Sequence, residues 1–228
     1  MSKAAKHLRL LLALPMLCLG AGCTPGPPQN FAAPTVPVVF ATTAVAAAPS
    51  RLPSLSPTVR KVLDNAVSLT RTTHIYDPAY VSIAYPNGDV PRERGVCTDV
   101  IVRAFRAAHV DLQKTVHEDM SAHFAAYPTL WGLHRPDPNI DHRRVANLMA
   151  YFKRQGQAVA ISAKPGDYRP GDVVAWELPG GLRHIGLVSD HRVIGTNRCE
   201  MIHNIGAGTR LEDVLFAWKI TGHYRCFR

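Results

Sequence analysis

Several features that would place a chain of 228 residues in a familiar class are missing from this one. No segment repeats at a fixed period, which excludes a solenoid or a propeller. The apolar run Leu8 to Leu19 is too short, and too abruptly followed by Gly and Pro, for a membrane-spanning helix. Acidic residues are scarce: 17 Asp and Glu stand against 26 Lys and Arg, giving a net charge of +9. There are eleven histidines, yet among His109, His117, His123, His134 and His142 no two are spaced i, i+4 and no cysteine joins them. A zinc site therefore lacks a ligand set, and no metal or other cofactor is expected. With the amino-terminal segment set aside, the remaining length suits one buried core and one active site.

That amino-terminal segment carries its own information. Lys3, Lys6 and Arg9 precede the apolar run, which ends in Leu19-Gly20-Ala21-Gly22-Cys23, the layout of a secretory signal. The small residues before Cys23 resemble a bacterial lipoprotein signal, in which the cysteine becomes the lipidated first residue. Gly20 stands where such signals carry Leu, so ordinary cleavage with release of a soluble protein is the alternative. Residues 1–23 are thus expected to form a signal segment with Cys23 as lipidation site. Residues 24–54, rich in Pro and Ala and without periodicity, read as a tether. Residues 55–228 are expected to form the globular domain. Loss of Lys3, Lys6 and Arg9 leaves about +6, which suits an acidic partner. The expected location is the bacterial cell envelope, membrane-anchored through the lipid, or periplasmic without it. Peptidoglycan or another acidic envelope polymer is the expected partner, and nucleic acid is not.

Within the domain the hydrophobic period changes once. Ser56-Pro57 opens a helix with apolar residues at Val59, Val62, Leu63, Ala66 and Leu69, Ser56 being a cap and Pro57 the tolerated first position. A second helix begins near Cys97, with Val100, Ile101, Ala104, Phe105 and Ala108 on one stripe and Arg103 and Arg106 outside it. Residues 109–165 read as polar and loop-rich, with a third helix from about His142 to Gln155. Short strands follow at 172–176, 183–189, 192–195, 200–205 and 216–224. Helices first and an antiparallel sheet afterwards indicate an α+β fold, with N-terminal helices packed on the sheet.

A cysteine in the first turn of a helix meets free backbone N–H groups and the positive end of the helix dipole, so Cys97 is expected to have a lowered pKa and to be nucleophilic. His184 opens a strand with Gly186 and Val188 on its own face, and Gly186 leaves space beside the imidazole. His203, on a further strand, is placed to hold His184 in one tautomer, the third role in a Cys-His-X system. Arg143 and Arg144 are suited to gripping a substrate carboxylate, and Trp131 to lining a cleft. Cys199 and Cys226, left over after Cys18, Cys23 and Cys97, are expected to pair as one disulfide in an oxidising compartment.

Pro170-Gly171-Asp172-Val173-Val174, then His184-Ile185-Gly186-Leu187-Val188, then Met201-Ile202-His203 is similar to the strand series of NlpC-type cell-wall peptidases in the papain-like superfamily. The fuller run resembles the bacterial domain-of-unknown-function family 1287. It comprises Tyr85 to Asp99, His117 to Met120, Trp131-Gly132-Leu133, Asn139 to Arg144, His203 to Gly206 and Trp218 to Tyr224. The resemblance implies a papain-like, NlpC-type fold with Cys97, His184 and His203 as catalytic residues; Tyr85, Asp99, Trp131 and Arg143 are the residues expected near the substrate. Thr98-Asp99 follows the nucleophile where NlpC enzymes carry Ser-Gly, and the segment between nucleophile helix and sheet is long. The resemblance implies no established substrate; taken with the export signal, the tether and the basic charge, the expected activity is cleavage of a peptide or amide bond in peptidoglycan by a Cys-His-His acyl-thioester route. The alternatives are acyl transfer by the same thioester, or a cell-wall-binding lipoprotein without catalysis.

Overall fold

The computed structural model describes residues 54–227. The expected signal, lipidation site Cys23 and nearly all of the tether lie outside them. No helix among the described residues is long and apolar enough to cross a membrane.

Helix α1 spans Pro57–Leu69, and Ser56 Oγ accepts a hydrogen bond from the Val59 backbone N–H at its start. Its buried residues are Val59, Val62, Leu63, Ala66 and Leu69, one continuous stripe at helical spacing. Strands β1 (Ile75–Tyr76) and β2 (Arg94–Gly95) then make a short parallel pair. Helix α2 (Cys97–Arg106) follows directly. Val96 has no capping oxygen; instead Asp99 Oδ2 accepts from the Val96 N–H at 2.7 Å, which fixes where the helix begins.

Helix α3 (Leu112–Ala122) occupies part of the segment expected to be loop. Its buried set is Leu112, Gln113, Val116 and Met120, and the glutamine interrupts the apolar stripe that sequence reading relies on. Gln113 ties loops together: its amide donates to the carbonyls of Ala84 and Pro138, and its Oε1 accepts from the Gly88 N–H. A 3₁₀ turn at Asp141–Arg143 leads into α4 (Val145–Arg154).

The carboxy-terminal half is a five-stranded antiparallel sheet of β3 (Val173–Glu177), β4 (Arg183–Arg192), β5 (Cys199–Asn204), β6 (Thr209–Glu212) and β7 (Lys219–Tyr224), ordered β6-β5-β4-β3-β7. The α+β class is as expected. The separate strand expected at 192–195 is absent: β4 runs on to Arg192, and a turn closed by the Val193 N–H on the Arg198 carbonyl leads into β5. Strand β6 was not expected, because only Thr209 in it is buried and an edge strand needs no apolar alternation.

Each sheet face carries its own core. Val173, Ala175, Ile185, Leu187 and Ile202 pack against the helices, in one cluster with Cys97, Val100 and Ile101. Val174, Trp176, Val188, Cys199 and Met201 face the other way and are covered by Tyr168 and Leu215. This division corrects the expected disulfide. Cys199 belongs to the outer cluster and Cys226 packs against the helix-side one, and both thiols are free.

Candidate functional site

Cys97 is the first residue of α2 and is 4% exposed. Its thiol meets β4 at the backbone of Ile185, one residue beyond His184. The expected lowering of its pKa is reversed. Burial pushes the thiol up to about 12, and the Asp99 carboxylate adds to this, while backbone hydrogen bonds at Ile185, Thr98 and Cys97 itself work against it. The helix-start N–H groups are present, as sequence reading expects, but removal from water outweighs them.

His184 pairs with Trp176 across β3 and β4, and its ring stacks on that indole at 5.6 Å. By strand alternation it lies on the outer face, whereas Ile185 turns toward the helices. Its Nε2 is 2.9 Å from Nδ1 of His203, and Trp218 stands edge-on to both rings. Burial holds His184 down at about 3, with His203 contributing. Burial also lowers His203, against the pull of Glu212. The resting site therefore holds a neutral thiol and two neutral imidazoles at neutral pH.

Glu212 was not singled out in the sequence, since one carboxylate on a polar edge strand carries no pattern. Its Oε2 is 3.0 Å from His203 Nε2, close in distance but poorly aligned as a hydrogen bond. That proximity favours one pair of tautomers. A carboxylate favours N–H over a lone pair, so His203 carries its proton on Nε2 and offers Nδ1 as acceptor. His184 then donates from Nε2, and its Nδ1 is left as the basic nitrogen.

The structure thus brings His184 and His203 together and sets Cys97 beside the same strand. No hydrogen bond joins Cys97 to His184 among the described residues. Gly186 is where it was expected to matter: a Cβ there would sit 3.1 Å from His203 Cβ and 3.2 Å from the Trp176 ring.

A cleft of about 580 Å³ opens over Cys97, lined by Tyr76, Trp131, Arg144, Leu182 and Arg183 among others. Trp131 is there as expected, 58% exposed. Tyr85 is not among the lining residues; it packs edge-on to His117 at 5.3 Å, and Tyr76 is the tyrosine at the cleft. Asp99 and Arg143 are both buried and are spent on each other: Arg143 Nε and Nη2 each reach a carboxylate oxygen at 3.0 Å, and its remaining contacts are the carbonyls of Ala79 and Asp77. Arg143 lines the cleft with its charge already answered. A larger cavity of about 1040 Å³, bordered by Ser54, Tyr168, Arg192 and Cys199, contains none of the expected catalytic residues.

An α+β scaffold with a buried helix-start cysteine under a cleft, next to a strand carrying hydrogen-bonded histidines, is the class this architecture defines. The chain belongs to the family described as Domain of unknown function (DUF1287), which matches residues 63–226. It is similar to the Uncharacterized protein YijF of Escherichia coli (strain K12), with 51% identity over 183 residues, covering 77% of this chain and 89% of that protein.

Proposed function

We propose that this protein is a papain-like cysteine hydrolase of the bacterial cell envelope that cleaves a peptide or amide bond in peptidoglycan. The observation that carries the reading is the placement of Cys97 at the start of α2, beneath the cleft and against β4 at Ile185, the residue that follows His184 of the hydrogen-bonded His184–His203 pair. The order of elements and the NlpC-like sequence motifs support the papain-like assignment. The amino-terminal signal pattern and basic charge support an envelope location and an acidic polymer as partner.

The mechanism uses a neutral pair. Cys97 Sγ bonds to the carbonyl carbon as its proton passes to His184 Nδ1, so no free thiolate is stored in the buried site. His184 returns that proton to the departing amine, leaving a thioester on Cys97. Water then attacks the thioester, giving a proton to His184 and finally to the thiol as the acid product leaves. Backbone N–H groups at the start of α2, with the hydroxyl of the cleft-lining Tyr76, are the oxyanion donors of this scheme. His203 positions His184, and Glu212 positions His203.

Purified protein is incubated with muropeptides from several wall types and the products are weighed by mass spectrometry. Cleavage that disappears in Cys97→Ser and His184→Ala is the expected result. Intact muropeptides throughout would remove the hydrolase reading.

A further inference from the structure

We propose that the cleft over Cys97 binds a carboxylate on Arg144, with the adjoining apolar part of the ligand lying against Trp131; this rests on the cleft being the substrate site proposed above. Adjacent in sequence, Arg143 and Arg144 have opposite fates. Arg143 is closed on Asp99, whereas the Arg144 side chain makes no ion pair or hydrogen bond among the described residues, and its Nη1 is buried without a partner. A buried guanidinium nitrogen left unpaired costs free energy that a ligand acceptor would recover.

Trp131 gives the pocket its shape. Its backbone is left-handed, with φ 60°, and so is that of Gly132, a conformation an aromatic residue adopts only when the surroundings hold it. The indole is exposed, and the Arg144 guanidinium carbon lies 4.1 Å from the ring centroid. This contact holds the guanidinium carbon over the indole without using its N–H donors, none of which is bonded to a protein acceptor among the described residues. Arg183 adds a further cation to a lining that also holds Arg143 and Arg144, Leu182 an exposed apolar side chain, and no lining residue is acidic.

Neither of the carboxylates nearest Arg144 makes an ion pair with it, although Asp141 Oδ1 is buried without a partner. Asp137 accepts from Tyr80 and Asn139, and Asp141 contacts His117 and accepts from the Asp137 N–H. Burial raises the Asp141 pKa, which weakens it as a counter-ion. The geometry therefore points to an acyl donor bearing a free carboxylate close to the bond attacked, as in a peptide with an acidic residue or free carboxy terminus.

Two measurements on the full chain test this. The ¹⁵N-labelled protein is titrated with N-acetylglutamate and, at equal ionic strength, with its neutral analogue N-acetylglutamine, following the Trp131 indole N–H. Cys97 is also alkylated with iodoacetate and iodoacetamide, each rate divided by that of a free thiol with the same reagent. The indole should shift with the acid and not the amide, and the normalised iodoacetate rate should exceed the iodoacetamide rate by about tenfold. Both preferences should vanish in Arg144→Gln and survive in Lys153→Gln, which removes an exposed cation outside the cleft. Absence of acid preference in the indole titration, as an Arg144–Asp141 pair in solution would produce, overturns the proposal. So does a preference that persists in Arg144→Gln. Failure of Cys97 to react with either reagent would strike the hydrolase reading alone, and the indole titration would still decide the carboxylate site.

Discussion

Arg143 and Asp99 are joined by two hydrogen bonds of 3.0 Å in a setting where both side chains are almost wholly shielded from water. The pair links the turn before α4 to the first turn of α2, so the position of Cys97 depends on a contact between segments far apart in sequence. Removing one partner leaves the other as a buried, unanswered charge. Arg143→Gln and Asp99→Asn should each destabilise the protein by ~3–5 kcal/mol, measured by urea unfolding, with the double variant losing less than the sum. Additive losses would mean that the two side chains do not act as a pair.

Acid should unfold the protein through its buried histidines. His184 and His142 are held at about 3 and about 4, both mainly by burial, below the ordinary value of 6.5. The unfolded chain binds protons at these sites first. Stability from neutral burial is therefore complete above about pH 6.5 and falls as pH drops toward the folded values, by up to ~1.4 kcal/mol per pH unit for each histidine. Asp172 and Asp119, held low by their partners, add losses only below about pH 4. Unfolding free energies across this range should show the slope, and His142→Phe should reduce it. A flat profile between about pH 4 and 6.5 would show that these imidazoles are not buried neutral.

Gly186 and Glu212 bear on His203 from different sides. Gly186→Ala introduces a methyl group against His203 Cβ and the Trp176 ring, an overpacking worth ~1–3 kcal/mol, and should disturb the His184–His203 contact. Glu212→Ala should leave the fold stable while releasing the tautomer of His203. The ring ¹⁵N shifts of His203 provide the check: a protonated Nε2 in the wild type, and a mixture in Glu212→Ala. A wild-type spectrum with the proton on Nδ1 would contradict the assigned chain of donors.

Much of this arrangement was legible in the sequence, for identifiable reasons. The stripe of α1, the start of α2 at Cys97 and the alternation around His184 depend on local periodicity, which one chain displays directly. What escaped depends on partners distant in sequence. Helix α3 was hidden by a buried Gln113 whose contacts are loop carbonyls. Arg103, placed off the apolar stripe, is buried against Asp89 and a set of carbonyls. Nothing local separates Arg143 from Arg144, and only the fold assigns one to Asp99 and the other to the cleft. The thiol pKa went the wrong way because a helix start is visible in sequence, whereas the depth of its burial is not.

Whether His184 serves as base for Cys97 is read from the rate at which iodoacetamide labels Cys97 in the folded protein, followed by peptide mass analysis. Cys97 should be labelled ahead of Cys199 and Cys226, and His184→Ala should slow that labelling by about 10²–10⁴-fold, the usual contribution of a positioned base, at a temperature where circular dichroism shows the variant folded. His203→Ala should slow it less. Labelling of Cys97 at the same rate with and without His184 would contradict the account and leave Cys97 a buried core residue at the start of a helix.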